Sequence, residues 1–80
     1  MQKELYLLWT TDGWGVFDET TCPDTGAFPE HWYKKYAIPP DKSDIVLKIL
    51  LERRDYLASS RILPTRSNRR DIFPDVSEIL

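Results

Sequence analysis

Hydrophobic positions alternate with a period of two at the start of the chain, which is typical of a β-hairpin over residues 4–19. Within it, Asp12-Gly13 is a favoured two-residue loop, because glycine adopts a positive φ without a Cβ clash. This loop predicts that Trp9 lies opposite Val16. Both faces are apolar: the first carries Leu5, Leu7, Trp9, Trp14 and Val16, and the second carries Tyr6, Leu8 and Phe17. A two-stranded hairpin is unstable alone, so we expect other parts of the chain to cover at least one face.

A second strong pattern has a helical period and covers residues 41–59, directly after Pro39-Pro40. Asp41 or Ser43 is suited to capping its first turn. The apolar residues spread over roughly 240° of the helix circumference, whereas a helix that packs on a sheet needs a stripe of about 100° or slightly more. They are Ile45, Val46, Leu47, Ile49, Leu50, Leu51, Tyr56, Leu57 and Ala58, and Arg53 and Arg54 fall within the same arc. We therefore predict that this helix carries more apolar surface than the hairpin covers.

Weaker patterns fill the remainder of the chain. Residues 20–40 are expected to form a loop and a short helix over 29–36, with a strand as the alternative because Trp and Tyr favour strands. Residues 60–71 lack periodic apolar positions and are interpreted as a poorly packed basic connector. Residues 72–80 restart the apolar pattern, which predicts a C-terminal anchor segment with Pro74 in the first turn of a short helix.

Together these patterns predict an α+β fold in which residues 1–80 form a small single domain. An N-terminal antiparallel β-hairpin, with or without a third strand, packs on one main α-helix at about residues 41–59. Short extra helical segments complete the fold.

Composition narrows the chemistry. Cys22 is the only cysteine, which excludes an internal disulfide, and Cys22 and His31 are too few ligands for a structural zinc site. The chain shows no signal-peptide pattern and no apolar stretch of about 18 residues, so we expect a cytoplasmic protein. A Cys22–His31 catalytic pair and a cation site at Asp12, Asp18 and Glu19 are the weaker alternatives to ordinary structural roles. We expect no enzyme activity, no cofactor and no metal.

Charge is distributed unevenly, although the net charge is only −2. Residues 1–33 carry one lysine against six acids, residues 34–70 carry ten basic residues against four acids, and residues 71–80 carry three acids alone. Within residues 53–70, six arginines face the single acid Asp55. Internal pairing with the acidic segments would explain the arginines, and so would contacts to the phosphates of a nucleic acid.

A protein partner is the explanation we favour, because interface cores are enriched in aromatic residues and arginine. We expect a non-enzymatic protein-interaction module of the phage or mobile-element kind, an inhibitor, adaptor or regulatory subunit that occupies a surface of a larger protein or complex. A homodimer through the helix would bury the same apolar surplus. The alternative is a small nucleic-acid-binding regulator that uses the arginine-rich segment 53–70, and we expect neither a membrane nor a small-molecule substrate. The candidate binding residues are Arg53, Arg54, Arg61, Arg66, Arg69, Arg70, Trp32, Tyr33, Tyr36, Leu47 and Leu51.

Overall fold

A three-stranded antiparallel sheet is the framework of the fold. The computed structural model describes residues 1–80, with strands β1 (Lys3–Thr10), β2 (Gly13–Asp18) and β3 (Tyr33–Ile38) in the order β2-β1-β3. One long helix, α1 (Ser43–Ser59), and a single helical turn, α2 (Arg69–Ile72), follow along the chain. The predicted α+β fold, with its hairpin and one main helix, is confirmed. None of the helices combines the length and the apolar character that crossing a bilayer requires.

The hairpin turns one position earlier than predicted. Its loop is Thr11-Asp12, because Thr10 pairs directly with Gly13. The Thr10 hydroxyl closes this turn: it accepts a hydrogen bond from the Asp12 N–H at 3.1 Å and donates to the Gly13 carbonyl at 3.3 Å. Gly13 has a φ of 120°, so the first position of β2 needs a residue without a Cβ.

The changed loop shifts the register of β1 against β2 by two residues. Trp9 lies opposite Trp14, and Val16 lies opposite Leu7, so the predicted pairing of Trp9 with Val16 is wrong. Because side chains alternate between the faces with a period of two, an even shift leaves every residue on its predicted face. The predicted division of the hairpin into two apolar faces is therefore confirmed.

The predicted short helix over residues 29–36 is wrong, and the strand alternative is correct. Only Glu30–Trp32 is helical, as one 3-10 turn, and β3 then pairs antiparallel with β1. Tyr36 and Ile38, two positions apart on β3, are both buried in the core. Burial at every second residue is typical of a strand. As the third strand of the sheet, β3 also stabilises the hairpin, which would be unstable alone.

The main core lies between the first face of the sheet and α1. The helix contributes Val46, Leu50 and Leu57, which are at most 1% exposed and lie on one stripe of its surface. The ten buried residues of this core are Leu5, Leu7, Tyr36, Ile38, Val46, Leu50, Leu57, Ile72, Phe73 and Val76. Both the sheet and the C-terminal segment therefore pack against the same helix stripe.

The helix begins without the predicted side-chain cap. A 3-10 turn over Pro40–Lys42 leads into α1, and Lys42 at the N-cap position makes no capping hydrogen bond. The Ser43 hydroxyl instead donates to the carbonyl of Pro40 at 2.8 Å. Ser43 thus holds the preceding turn against the helix rather than satisfying its free N–H groups, and the predicted cap by Asp41 or Ser43 is wrong.

Residues 19–32 cover the second face of the hairpin. Leu8 points to this face, away from α1, and is nevertheless completely buried. Pro23 and Phe28 of the covering segment line a shared cavity with Phe17 of β2. Leu8 on the second apolar face is therefore buried within the chain, and Tyr6 and Phe17 of the same face are half-buried.

A turn at Asp18 directs this covering segment back over the sheet. One carboxylate oxygen of Asp18 accepts hydrogen bonds from the N–H and hydroxyl groups of both Thr20 and Thr21, at 2.7–3.0 Å. These bonds, to Thr20 first and then to Thr21, lower the pKa of Asp18 to about 2.

Hydrogen bonds order the segment after α1, which the sequence predicts to be a poorly packed connector. The Trp14 indole N–H donates to the carbonyl of Ile62 at 2.8 Å. The Asn68 side chain accepts from the Thr65 N–H at 2.7 Å and donates to the Leu63 carbonyl at 3.0 Å. Side-chain hydrogen bonds thus order a segment in which only Pro64 is buried, and its interpretation as a poorly packed connector stays a prediction.

The C-terminal segment anchors to the fold as predicted, but in a different conformation. The helical turn is α2, at residues 69–72, and no helix follows Pro74. The Tyr36 hydroxyl donates to the Pro74 carbonyl at 2.8 Å, and Val76 is buried two residues later. The predicted helix from Pro74 is wrong: residues 74–76 have no regular secondary structure, and residues 77–79 form only a turn.

Replacement of Leu50 by Ala should lower the free energy of unfolding by about 2–5 kcal/mol, because it leaves a cavity in a completely buried site. The same replacement by Ala at Ile45, which is 53% exposed on the same helix, should change the free energy of unfolding by no more than about 0.5 kcal/mol. Urea denaturation followed by circular dichroism measures both. Similar losses for the two variants would contradict the division of α1 into a buried stripe and an exposed flank.

Acid should weaken the fold through Asp18. The pKa of Asp18 in the folded state, about 2, lies below its ordinary value of 3.8. The carboxylate therefore stabilises the fold at pH values above 3.8. This contribution is lost as the pH falls from about 4 to about 2. Asp18→Asn should remove this part of the pH dependence, measured by urea denaturation at successive pH values. An unchanged acid dependence in the variant would show that other carboxylates are responsible.

Candidate functional site

One flank of α1 exposes a cluster of apolar side chains next to its buried stripe. Ile45 and Tyr56 are each 53% exposed, and Ile49 is half-buried between them on the helix surface. Ile49 and Tyr56 also line a shallow cavity of about 340 Å³ together with Glu52 and Arg53. The Arg53 guanidinium lies 5.7 Å from the centroid of the Tyr56 ring, a cation–π geometry. We call Ile45, Ile49, Arg53 and Tyr56 the first flank.

The opposite flank of α1 is apolar as well, but less exposed. Leu47 is 36% exposed and Leu51 is half-buried. Arg54 borders them at helical spacing and forms an ion pair with its neighbour Asp55 at 3.0 Å. We call Leu47, Leu51 and Arg54 the second flank.

Acidic side chains do not neutralise most of the arginines. The ion pairs of the protein are Lys35–Glu4 at 2.8 Å and Arg54–Asp55 at 3.0 Å. Arg54 is therefore the only arginine with an acidic partner. Internal pairing with the acidic segments does not explain the remaining five, which are Arg53, Arg61, Arg66, Arg69 and Arg70.

Two of these arginines meet in one cavity. It measures about 340 Å³ and is lined by Pro29, Glu30, His31, Arg66 and Arg69, with no apolar side chain among the walls except the proline ring. We call it the arginine cavity. Its two arginines come from the segment after α1, and its other wall comes from the turn that precedes β3.

The Arg69 guanidinium is fixed in position. Its Nη2 donates to the carbonyl of Tyr33 at 3.2 Å, and its Cζ lies 5.2 Å from the centroid of the Phe73 ring. Its Nε–H is buried and has no acceptor within the protein. A buried donor without an acceptor costs about 1–3 kcal/mol, and the Nε–H of Arg69 is such an unsatisfied donor.

Arg61 occupies a strained position at the end of α1. The Ile62 N–H bonds to the Leu57 carbonyl at 3.0 Å and the Arg61 N–H to the Ala58 carbonyl at 3.2 Å, the two bonds of a Schellman motif. Arg61 has a φ of 52°, a left-handed conformation in which glycine is usually found. An exposed arginine therefore stands where the backbone prefers glycine.

The three aromatic candidates make contacts within the fold. Trp32 packs edge-on against Trp9, with ring centroids 4.5 Å apart, and the Tyr33 carbonyl accepts the bond from Arg69. Tyr36 is 4% exposed, so it belongs to the core and not to an accessible surface. Burial raises the pKa of the Tyr36 hydroxyl, and the charges of Arg69 and Arg53 oppose this effect.

The structure does not assemble the other chemistry considered from the sequence. No group of three or more His, Cys, Asp or Glu side chains is arranged to hold a metal ion. Burial raises the pKa of the Cys22 thiol, which is the opposite of what activates a cysteine nucleophile. Asp18 is engaged by its own turn.

Sequence reasoning missed several exposed residues as binding candidates. Ile45 and Tyr56 belong to the predicted apolar arc, but only the position of the buried stripe shows that they lie on its exposed side. His31 appears in the sequence as a lone base, and its place beside Arg66 and Arg69 depends on contacts across more than thirty residues of chain. Nothing in the local sequence carries this signal.

Comparisons with protein-family models, with curated proteins and with solved structures give no match for this chain.

Replacement of Arg61 by Gly should raise the free energy of unfolding by about 1 kcal/mol, because glycine relieves the left-handed strain. Ser60→Gly is the matched control: Ser60 has a φ of −86°, so glycine there should be neutral or destabilising by about 0.5–1 kcal/mol. Urea denaturation of both variants provides the measurement. A loss of stability in Arg61→Gly would mean that the arginine side chain itself holds the helix end.

Proposed function

We propose that this protein is a non-enzymatic binding module that occupies a surface of a larger protein, as an inhibitor, adaptor or regulatory subunit of the kind that phages and mobile elements carry. It acts in the cytoplasm, where a single free cysteine is compatible with the reducing conditions.

The observation that carries this proposal is the exposed first flank of α1. The sheet and the C-terminal segment bury one stripe of the helix, and residues 19–32 cover the other face of the hairpin. The chain has thus used its own elements to cover its core, yet Ile45 and Tyr56 remain more than half exposed. Apolar clusters of this kind, bordered by polar residues, are typical of protein-binding surfaces.

Charge indicates the chemistry of the partner. Arg53 belongs to the first flank and makes no ion pair, and its planar guanidinium is suited to bidentate contact with a carboxylate. We therefore propose a partner surface with an apolar centre that accepts Tyr56 and an acidic side chain that reaches Arg53. Glu52 lines the same cavity, which disfavours an approach by uniformly negative surfaces.

A nucleic-acid-binding regulator is the second candidate, because five arginines have no acidic partner. Arg61, Arg66 and Arg70 are exposed and free to contact phosphates. Arg53 and Arg69, in contrast, pack against aromatic rings of the protein itself. If the protein is a nucleic-acid-binding regulator, replacement of Arg66 and Arg70 by Ala should abolish its salt-sensitive binding to oligonucleotides. If it is a protein-binding module, the same replacement should leave oligonucleotide binding unchanged.

Affinity capture from the native host, with mass spectrometry and then titration of the purified partner, tests the proposed function. Ile45→Glu and Tyr56→Glu should each weaken the captured complex at least about tenfold, since a central interface residue contributes about 1.4 kcal/mol or more. Lys48→Gln is the matched control, because it makes the same change of charge on an exposed, polar part of α1. Equal loss in the control, or unchanged affinity in both flank variants, would contradict the proposal.

Variants of the second flank distinguish a foreign partner from a second copy of the chain. Sedimentation velocity of the parent protein and of the double variant Leu47→Glu, Leu51→Glu reports the oligomeric state. A parent dimer that becomes monomeric in the double variant identifies the second flank as a dimer interface. A monomer in both cases excludes self-association and leaves the helix free for a foreign protein.

A further inference from the structure

The arginine cavity lies apart from the first flank of α1, and the proposed function does not use it. It lies between the turn that precedes β3 and the arginines after α1, and its walls hold two guanidiniums and an imidazole. Neither Arg66 nor Arg69 makes an ion pair, although Glu30 lines the same cavity. Two cations thus share a concave site in which neither forms an ion pair, and Glu30 is the single acidic group in its walls.

The two arginines play different parts in this cavity. Arg69 is held in place by the Tyr33 carbonyl and the Phe73 ring, and its buried Nε–H lacks an acceptor. Arg66 is exposed, and none of its donors has an acceptor within the protein. A guanidinium that is already fixed loses little entropy on binding, and its planar donors match two oxygens of an oxyanion.

We propose that the arginine cavity is a binding site for an oxyanion of the phosphate type, held by Arg69 as the fixed ligand and by Arg66 as the mobile one. His31, the third basic group in the wall, supplies a further N–H donor. The site resembles in chemistry the paired arginines with which proteins bind phosphorylated side chains.

The dimensions and the walls of the cavity indicate a single phosphoryl group on a protein side chain. A volume of about 340 Å³ is at the lower end of ligand pockets. Binding of single-stranded nucleic acid normally adds aromatic surfaces on which bases stack, and the His31 imidazole is the only ring of that kind in these walls. The assignment to a protein side chain depends on the proposed function, whereas the recognition of the oxyanion does not.

The experiment is a titration of the ¹⁵N-labelled protein with inorganic phosphate against chloride at constant ionic strength. The Nε–Hε resonance of Arg69, identified by Arg69→Lys, should shift in a saturable manner. Arg66→Gln, which changes an exposed side chain and leaves Arg69 in place, should weaken binding at least about tenfold. Arg70→Gln is the matched control, because Arg70 is exposed but does not line the cavity. A shift that does not saturate, or an equal effect of both glutamine variants, would overturn the proposal.

Two further titrations identify the source of the phosphoryl group. A phosphoserine peptide that binds more tightly than its unphosphorylated form and than oligothymidylate supports a protein source. Tighter binding of oligothymidylate would overturn that assignment in favour of nucleic acid. Ile45→Glu should leave the phosphate titration unchanged. The protein-binding role of the first flank and the oxyanion site can therefore be disproved separately.

Discussion

The area of one sheet face is the constraint from which the rest of this structure follows. A sheet of three short strands covers only one stripe of a helix, and Val46, Leu50 and Leu57 fill that stripe completely. Burial of such residues contributes about 1.5–3 kcal/mol each relative to exposure, so the helix orientation is fixed by them. Every apolar residue outside the stripe is then directed either to the edge of the core or to solvent.

The chain compensates for its small size by covering both faces of the sheet. Residues 19–32 bury Leu8 on the face away from α1, and the C-terminal segment adds Ile72 and Val76 to the core on the other. Hydrogen bonds from Trp14 and Tyr36 to backbone carbonyls tie the segment after the helix to the sheet. These segments complete the core and leave Ile45 and Tyr56 of α1 exposed. Leu63 and Leu80, outside the helix, are exposed as well, but Ile45 and Tyr56 share one flank of α1.

Local patterns were sufficient to predict the hairpin faces and the main helix, because each depends on a short period in the sequence. The register of the hairpin was not predictable in this way, since the Thr10 hydroxyl selects a loop that the Asp-Gly preference does not. Tyr33 and Tyr36 favour a strand only weakly, and pairing with β1 decides their conformation. The arginine cavity joins residues 31 and 69, and such a juxtaposition has no local signal. The functional indications that the sequence contained were the width of the apolar arc on the helix and the arginine-rich segment 53–70.

Solvent paramagnetic relaxation of the methyl groups of α1 measures the central claim most directly. A soluble gadolinium chelate should strongly enhance relaxation of the Ile45 and Leu47 methyls and leave those of Val46, Leu50 and Leu57 nearly unaffected, at every protein concentration. Protection of Ile45 and Leu47 in a dilute, monomeric sample would contradict the account, because the chain would then cover the whole helix by itself.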